Sequence, residues 1–222
     1  MNPKNRPMPL YFHACSPTFY QQNSNKMLLS MLGQIQAKMY LCSMSQNRKL
    51  KLWELDRVDE STFRSQKKFP VVVLLNDIRS LNNIGSFFRT ADAFNVEKIY
   101  LCGITATPPH RDIQRTALGA TETVEWEYSA DILTVVQELK TAGTVVCSIE
   151  QAEKTVLLQD VPSIPGERFA LVFGNEVNGV DQAVIDDSDV ILEIPQWGTK
   201  HSLNVSVCAG IVLWEFAKRF GT

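Results

Sequence analysis

A polar segment with two cations follows a predicted buried strand. It reads NDIRSLNNIGSFFRTAD over residues 76–92 and contains Arg79 and Arg89. Asn82 or Asn83 suits the N-cap of the helix that the later apolar residues predict. An arginine here offers several fixed N–H donors to an anion, whereas a surface ion pair is the structural alternative for Arg89. Both interpretations stay open on this segment alone.

A second segment places a carboxylate between two glycines at the end of an apolar strand. It reads FGNEVNG over residues 173–179, with Glu176 between Gly174 and Gly179. Glycines permit a tight turn and leave backbone donors unhindered. The segment is neither a GxGxxG fingerprint nor a Walker loop, whose lysine is missing. An ordinary turn is the structural alternative.

A third segment joins an apolar strand to the last helix through a glycine-containing loop. It reads IPQWGTKHSLNVSVCAG over residues 194–210. Ser202 suits the helix N-cap, while Asn204 and Ser206 are polar residues at an otherwise apolar helical start. Buried polar side chains need partners, so these two either cap the loop or meet a ligand. His201 and Trp197 are interpreted as loop residues without an assigned function.

The elements that position these segments alternate along the chain. Short apolar runs predict strands over residues 70–76, 98–102, 144–149, 169–173 and 190–194, and helical spacing predicts helices over 83–94, 129–141 and 203–220. The residues from Arg48 to Val58 are interpreted as a basic, strand-like lead into a short helix. Alternation of this kind predicts an α/β fold, with a parallel sheet covered by helices on both faces. Ligands of such sheets bind outside the carboxyl ends of the strands, where all three segments lie.

The charges of the 222 residues are unevenly distributed, although the net charge is only −2. Residues 1–120 contain 16 Lys+Arg and 8 Asp+Glu, and residues 121–222 contain 6 and 16. This asymmetry fits a first half that meets a polyanion. A salt-bridged interface between halves or subunits explains it equally well.

Cysteine usage indicates neither metal binding nor disulfides. The five cysteines are scattered and form no CxxC pair, so no zinc site is expected. Reduced thiols are typical of a cytoplasmic protein. No apolar run of 18 residues occurs, and no transmembrane helix is expected.

Residues 1–43 differ from the rest of the chain and are interpreted as an irregular, possibly disordered extension. They contain four prolines and no acidic residue. A targeting segment, a disordered tail and a natural start at Met44 are the alternatives. We therefore predict one domain over residues 44–222.

The three segments together resemble the signature motifs of the SpoU/TrmH family in the SPOUT superfamily. RTALGATETVEW, over residues 115–126, resembles the stretch between the first two motifs, and the resemblance extends from Arg48 to Phe220. It implies a C-terminal deep trefoil knot, a homodimer with the active site near the subunit interface, and S-adenosylmethionine bound in the knot. The cofactor-binding positions that it implies are Gly174, Glu176, Ile194, Gln196, Ser202 and Leu203, with Cys147 and Ser148 bordering the adenosine pocket.

The resemblance also implies methyl transfer to a ribose 2′-hydroxyl of tRNA or rRNA, which DNA lacks. Arg89 matches the family's catalytic arginine, either as a base or as a cationic clamp on a phosphate and a developing alkoxide. Asn83, Glu176, Ser202 and Asn204 match the residues that accompany it. Candidate RNA-contacting cations are Arg48, Lys49, Lys51, Arg79, Arg111 and Arg115.

Other functions remain as alternatives. An RNA-binding protein of the same fold without catalysis is disfavoured by the presence of the motif residues, and an RNA base methyltransferase is disfavoured because the motifs resemble the ribose branch. A nucleotide-binding dehydrogenase is remote, because no GxGxxG follows a strand.

Overall fold

A parallel sheet of seven strands forms the centre of the protein. The computed structural model describes residues 48–161 and 167–221, and the extension predicted over residues 1–43 lies outside them. The strands are β1 Phe69–Asn76, β2 Val96–Cys102, β3 Glu125–Ser129, β4 Val145–Ile149, β5 Val156–Leu157, β6 Phe169–Phe173 and β7 Val190–Glu193. They lie in the order β3-β2-β1-β6-β4-β7-β5, and every adjacent pair is parallel.

Helices cover both faces of the sheet, as predicted. They are α1 Glu60–Ser65, α2 Leu81–Ala93, α3 Arg111–Ala117, α4 Ala120–Thr123, α5 Ile132–Thr141, α6 Gln182–Asp187 and α7 Val205–Phe220, with short 3₁₀ turns at Leu52–Glu54 and Leu158–Asp160. Alternate residues of β1 point to opposite faces. Val71, Val73 and Leu75 pack with α2 and α7, whereas Val72 and Leu74 pack with α5 and α6.

Two predicted helix caps were assigned to the wrong residues. The Ser80 side chain caps α2 by accepting a hydrogen bond from the Asn83 backbone N–H, so neither Asn82 nor Asn83 is the N-cap. Asn204, and not Ser202, caps α7, because its Oδ1 accepts from the N–H groups of Ser206 and Val207. The side chain of Asn83 is thereby free to make tertiary contacts.

Other differences concern edge elements. Helix α5 begins at Ile132, because Ser129 ends strand β3, which the sequence patterns did not predict. β3 has the polar sequence EWEYS, and β5 has two residues; both lie at the edges of the sheet and lack a buried apolar run. The predicted strand-like lead contains no strand: residues 48–57 carry the 3₁₀ turn at Leu52–Glu54 and belong to a different compact unit from the one that begins at Val58. None of the helices described is long and apolar enough to cross a membrane.

Candidate active site

A cleft of about 570 Å³ opens at the carboxyl ends of β4, β6 and β7. The second and third sequence segments supply most of its walls, as expected for loops that follow parallel strands. Its apolar lining comes from Ile149, Phe173, Val177, Leu192, Ile194, Leu203, Val205 and Cys208. Its polar side chains are Glu150, Gln151, Asn175, Glu176, Asn178, Gln196, His201, Ser202 and Asn204. A concave site that combines apolar walls with convergent polar groups is typical of a small-molecule site.

Glu176 joins the first segment to the second through three hydrogen bonds. Its carboxylate accepts from the backbone N–H groups of Arg79 at 3.0 Å and Ser80 at 2.9 Å. The Asn83 side-chain amide donates to the same carboxylate at 2.9 Å. Both Glu176 oxygens are engaged, so its position is fixed by the first turn of α2.

Asn83 then connects this carboxylate to the third segment. Its Oδ1 accepts a hydrogen bond of 3.3 Å from the Asn204 amide, and Asn204 is also the N-cap of α7. One network of three side chains, Glu176, Asn83 and Asn204, therefore holds together segments that are up to 121 positions apart.

The hydrogen bonds of Glu176 also control its ionisation. Partial burial by itself would raise the pKa of Glu176, but the donors on Arg79, Asn83 and Ser80 outweigh that effect and lower it. The side chain is therefore a carboxylate at neutral pH. It adds negative charge to the cleft and is not a proton donor there.

The turn that carries Glu176 depends on close backbone packing at Gly174. A Cβ built on Gly174 would lie 2.1 Å from the Gly179 carbonyl carbon and from the Val180 nitrogen. Gly179 itself has a φ of +74°, a region that favours glycine. Asn175 and Gly179 exchange both backbone hydrogen bonds across the turn. Gly174 is thus required for closing the turn, in addition to contributing backbone to the cleft.

Residues after β4 hold the other walls in place, and sequence patterns did not identify them. Glu150 accepts hydrogen bonds from the backbone N–H groups of Val180 and Gln151, at 3.0 and 2.9 Å. The Gln151 side chain donates to the His201 carbonyl at 2.9 Å. Only their place directly after a buried strand could have indicated them.

Ionisable groups give the cleft a negative character. Glu150 and Glu176 line it, and none of the lining residues described is a lysine or arginine. Burial raises the pKa of the Cys208 thiol to about 12, so this side chain is a neutral wall and not a nucleophile. In the part of the chain that the structure describes, no group of histidine, cysteine and acidic residues could hold a metal ion.

The predicted cofactor-binding residues divide into two groups. Gly174, Glu176, Ile194, Gln196, Ser202 and Leu203 all line the cleft. Cys147 and Ser148 do not: both are buried within β4, and the Ser148 hydroxyl lies 2.7 Å from that of Ser188. β4 contributes to the cleft through residues 149–151 instead.

Arg89 lies outside the cleft of the single chain. It is exposed on α2 and does not line the cavity. Among residues 48–161 and 167–221 its guanidinium has no hydrogen-bond or ion-pair partner. The surface ion pair that the sequence left open is therefore not formed within the described residues.

The predicted RNA-contacting cations occur in two places. Arg79, Arg111 and Arg115 are exposed in the same unit as the cleft, and Arg115 donates to the Asn82 side chain at 3.1 Å. Arg48, Lys49 and Lys51 lie in the separate 48–57 unit. There, Arg48 is paired with both oxygens of Glu54, at 2.6 and 2.8 Å.

Comparison with known proteins identifies the family. The model of the SpoU rRNA Methylase family matches residues 70–214, which include all three segments. The chain belongs to this family.

Among its relatives is the 23S rRNA (guanosine-2′-O-)-methyltransferase RlmB of Neisseria meningitidis, 29% identical over 70% of this chain and 61% of that protein. Another is the 23S rRNA (guanosine(2553)-2′-O)-methyltransferase RlmP of Bacillus subtilis, 32% identical over 65% of this chain and 56% of that protein. The chain thus spans about six tenths of the length of these two SpoU relatives.

Solved SpoU structures share the fold. A TrmH/SpoU tRNA modifying enzyme from A. aeolicus superposes with a TM-score of 0.65 at 23% identity, over 73% of this chain and 80% of that one. An AdoMet-bound rRNA methyltransferase from Sinorhizobium meliloti gives a TM-score of 0.64 at 25% identity, over 70% and 59% of the two chains.

Proposed function

We propose that this SpoU protein transfers the methyl group of S-adenosylmethionine to a ribose 2′-hydroxyl in tRNA or rRNA. The observation that carries the proposal is the network of Glu176, Asn83 and Asn204 beside a ligand-sized cleft. The names of the two rRNA relatives, both 2′-O-methyltransferases, support the reaction.

The donor set of the cleft suits this cofactor. S-adenosylmethionine is a net cation with a flat adenine ring, and the cleft combines apolar walls with the carboxylates of Glu150 and Glu176. A pyrophosphate-containing cofactor would favour basic groups, which the described lining lacks. When bound, the cofactor would supply an activated methyl group. The loop backbone at Gly174 and the cleft-lining residues Ile194, Gln196, Ser202 and Leu203 would align it.

Arg89 is proposed to act on the RNA and not on the cofactor. Its free, exposed guanidinium can form a bidentate contact with a phosphate and stabilise negative charge that develops on the attacking oxygen. In the alternative mechanism, Arg89 would first lose a proton and then act as a base toward the ribose hydroxyl. The proposed phosphate clamp requires only the cationic form in which arginine is ordinarily found.

A homodimer would explain why Arg89 stands apart from the cleft of its own chain. Helix α7 exposes Val207, Ile211 and Trp214 at helical spacing, a stripe that a second copy can cover. Val212 and Phe216 are buried within the chain and are unavailable for such contact. The family resemblance implies an active site near the subunit interface, where Arg89 of one copy would complete the cleft of the other.

A C-terminal trefoil knot is also proposed. After β7, the chain crosses back to α7, which packs over β1 and α2. Leu158, between β5 and β6, is buried in the same core cluster as α7. Leu158 and α7 therefore lie on the same face of the sheet, an arrangement compatible with the proposed knot.

The domain boundaries and the cellular location are proposed as well. We propose residues 44–222 as the methyltransferase domain, since the family model lies within it, and a cytoplasmic location, where tRNA and rRNA occur. Cys102, Cys147 and Cys208 are free thiols, in agreement with a reducing compartment.

Incubation with total tRNA and rRNA and tritiated S-adenosylmethionine tests the function. Label in 2′-O-methylribonucleosides supports it. Label on a base would favour the base-methyltransferase alternative, and RNA binding without transfer would favour the inactive one.

A further inference from the structure

Trp197 is the most exposed tryptophan described, and it lies beside the cleft. Its relative exposure is 89%. Within the described residues its indole has no stacking partner and its N–H has no acceptor. The other two exposed tryptophans have contacts: Trp214 packs against Phe94, and Trp53 lies under Lys51. Because an indole offers a large apolar ring surface, an exposed tryptophan beside a cleft is available to contact a ligand.

The residues on either side of Trp197 show where its loop lies relative to the cleft. Gln196 precedes it and His201 follows it, and both line the cleft. Trp197 itself does not line the cavity. A Cβ built on the adjacent Gly198 meets nothing within 4 Å, so the loop is open to solvent at this position. The exposed indole therefore lies outside the cavity, on a loop that forms part of its wall, and is accessible to a methyl acceptor.

A cation accompanies the indole on the same loop. Residues 121–222 contain only six lysines and arginines. Four of them form ion pairs with carboxylates: Lys140, Arg168, Lys218 and Arg219. Lys200, exposed three positions after Trp197, has no ion-pair partner in the described ranges. An aromatic ring beside a free cation is the combination that binds single-stranded nucleic acid, through base stacking and phosphate contact.

We infer that Trp197 is a stacking platform for an unpaired nucleobase of the RNA, next to the ribose that is methylated, and that Lys200 contacts the neighbouring phosphate. This inference rests on the proposed function and adds a substrate class to it. The acceptor nucleotide lies in a loop, bulge or end with a splayed base, since a base within a duplex cannot stack on a protein ring.

The test compares two polyanions, one with bases and one without. Affinity is measured for a fluorescein-labelled single-stranded RNA dodecamer and for heparin. Trp197→Ala should weaken RNA binding roughly tenfold or more, the scale for losing one stacked base, and leave heparin binding unchanged. Trp197→Phe should retain most of the RNA affinity. Lys200→Gln should weaken both, and Thr199→Ala, on the same loop, should weaken neither.

Two further measurements separate this inference from the proposed function. The Trp197→Ala protein should bind S-adenosylmethionine and self-associate as the parent does, by calorimetry and light scattering. Its KM for the RNA substrate should rise by a similar factor. Unchanged RNA affinity in a variant that still transfers methyl groups would overturn the inference alone. Weakened cofactor binding, or a change in oligomeric state, would also overturn it. If the parent protein methylates no RNA, the proposed function is wrong. The affinities of the parent and variant proteins for the RNA dodecamer still test the role of Trp197.

Discussion

At the scale of single residues, the site separates positioning from chemistry. Hydrogen bonds join the side chains of Glu176, Asn83 and Asn204 to one another and to backbone N–H groups. Arg89, in contrast, has no partner among the described residues. A side chain without a hydrogen-bond partner among the described residues is available to interact with a substrate.

Arg89→Ala should lower methyl transfer by roughly 10²-fold, the scale for losing one preorganised charge-stabilising donor. Cofactor affinity should change little, because Arg89 does not line the cleft. Arg89→Lys keeps the charge but loses the bidentate fork, so partial activity would favour charge stabilisation over a base. Transfer of tritium and calorimetry measure the two effects. Arg64→Ala, at an exposed arginine of α1, is the matched control. Normal activity in Arg89→Ala would show that its catalytic assignment is wrong.

Glu176→Gln should reduce stability in a pH-dependent manner. The pKa of Glu176 is lowered below its ordinary value of 4.5, so its contribution is complete above that pH and is lost as the pH falls through the folded-state pKa. The carboxylate is largely exposed, so we expect a loss on the order of 1 kcal/mol at pH 7. Urea unfolding at pH 7 and at pH 4 should show the difference between parent and variant shrinking in acid. A difference that grows in acid would contradict the lowered pKa.

At the scale of elements, turns decide the shape of the cleft. Gly174→Ala forces a Cβ against the backbone of Gly179 and Val180, and overpacking of this kind costs about 1–3 kcal/mol. It should lower both the unfolding free energy and cofactor affinity. Gly198→Ala has open space at its Cβ and should leave the free energy of unfolding unchanged to within about 0.5 kcal/mol. Equal stability of the two variants, by urea unfolding, would exclude the close-packed turn as a determinant of the site.

Sequence patterns predicted the central elements because these elements are uniform. β1 and β6 are unbroken apolar runs, buried on both faces, and α2 has its apolar residues at helical spacing. Strand β3 was not predicted because an edge strand with alternating glutamates has no such apolar run. The caps were misassigned because Ser80, Asn82, Asn83, Ser202 and Asn204 are all acceptable capping residues, and only tertiary contacts decide among them.

The motif residues of the site were predictable, whereas their partners were not. Gly174, Glu176 and the third segment were identified from their types and from the family resemblance. Glu150 and Gln151 belong to no motif, and they act through contacts 30 and 50 positions away. Such contacts depend on strand order, which places β4 between β6 and β7.

At the scale of the whole molecule, the exposed apolar face of α7 is the proposed contact surface of a homodimer. Ile211→Glu should convert the proposed dimer to a monomer, because it places a charge in an apolar stripe formed with Val207 and Trp214. Light scattering at micromolar concentration measures this. The same change at Ile104, an exposed apolar residue after β2, should have no effect. A parent protein that is already monomeric would refute the dimer. It would also require Arg89 to reach the cleft of its own chain.

The central claim is methyl transfer to a ribose, and one measurement tests it most directly. The purified protein is incubated with total tRNA and rRNA and isotopically labelled S-adenosylmethionine, and the digested nucleosides are then resolved by mass spectrometry. We expect a labelled 2′-O-methylribonucleoside that is formed by the parent protein and reduced roughly 10²-fold with Arg89→Ala. Label found only on a base, or no label from a folded protein that binds the cofactor, would contradict the account.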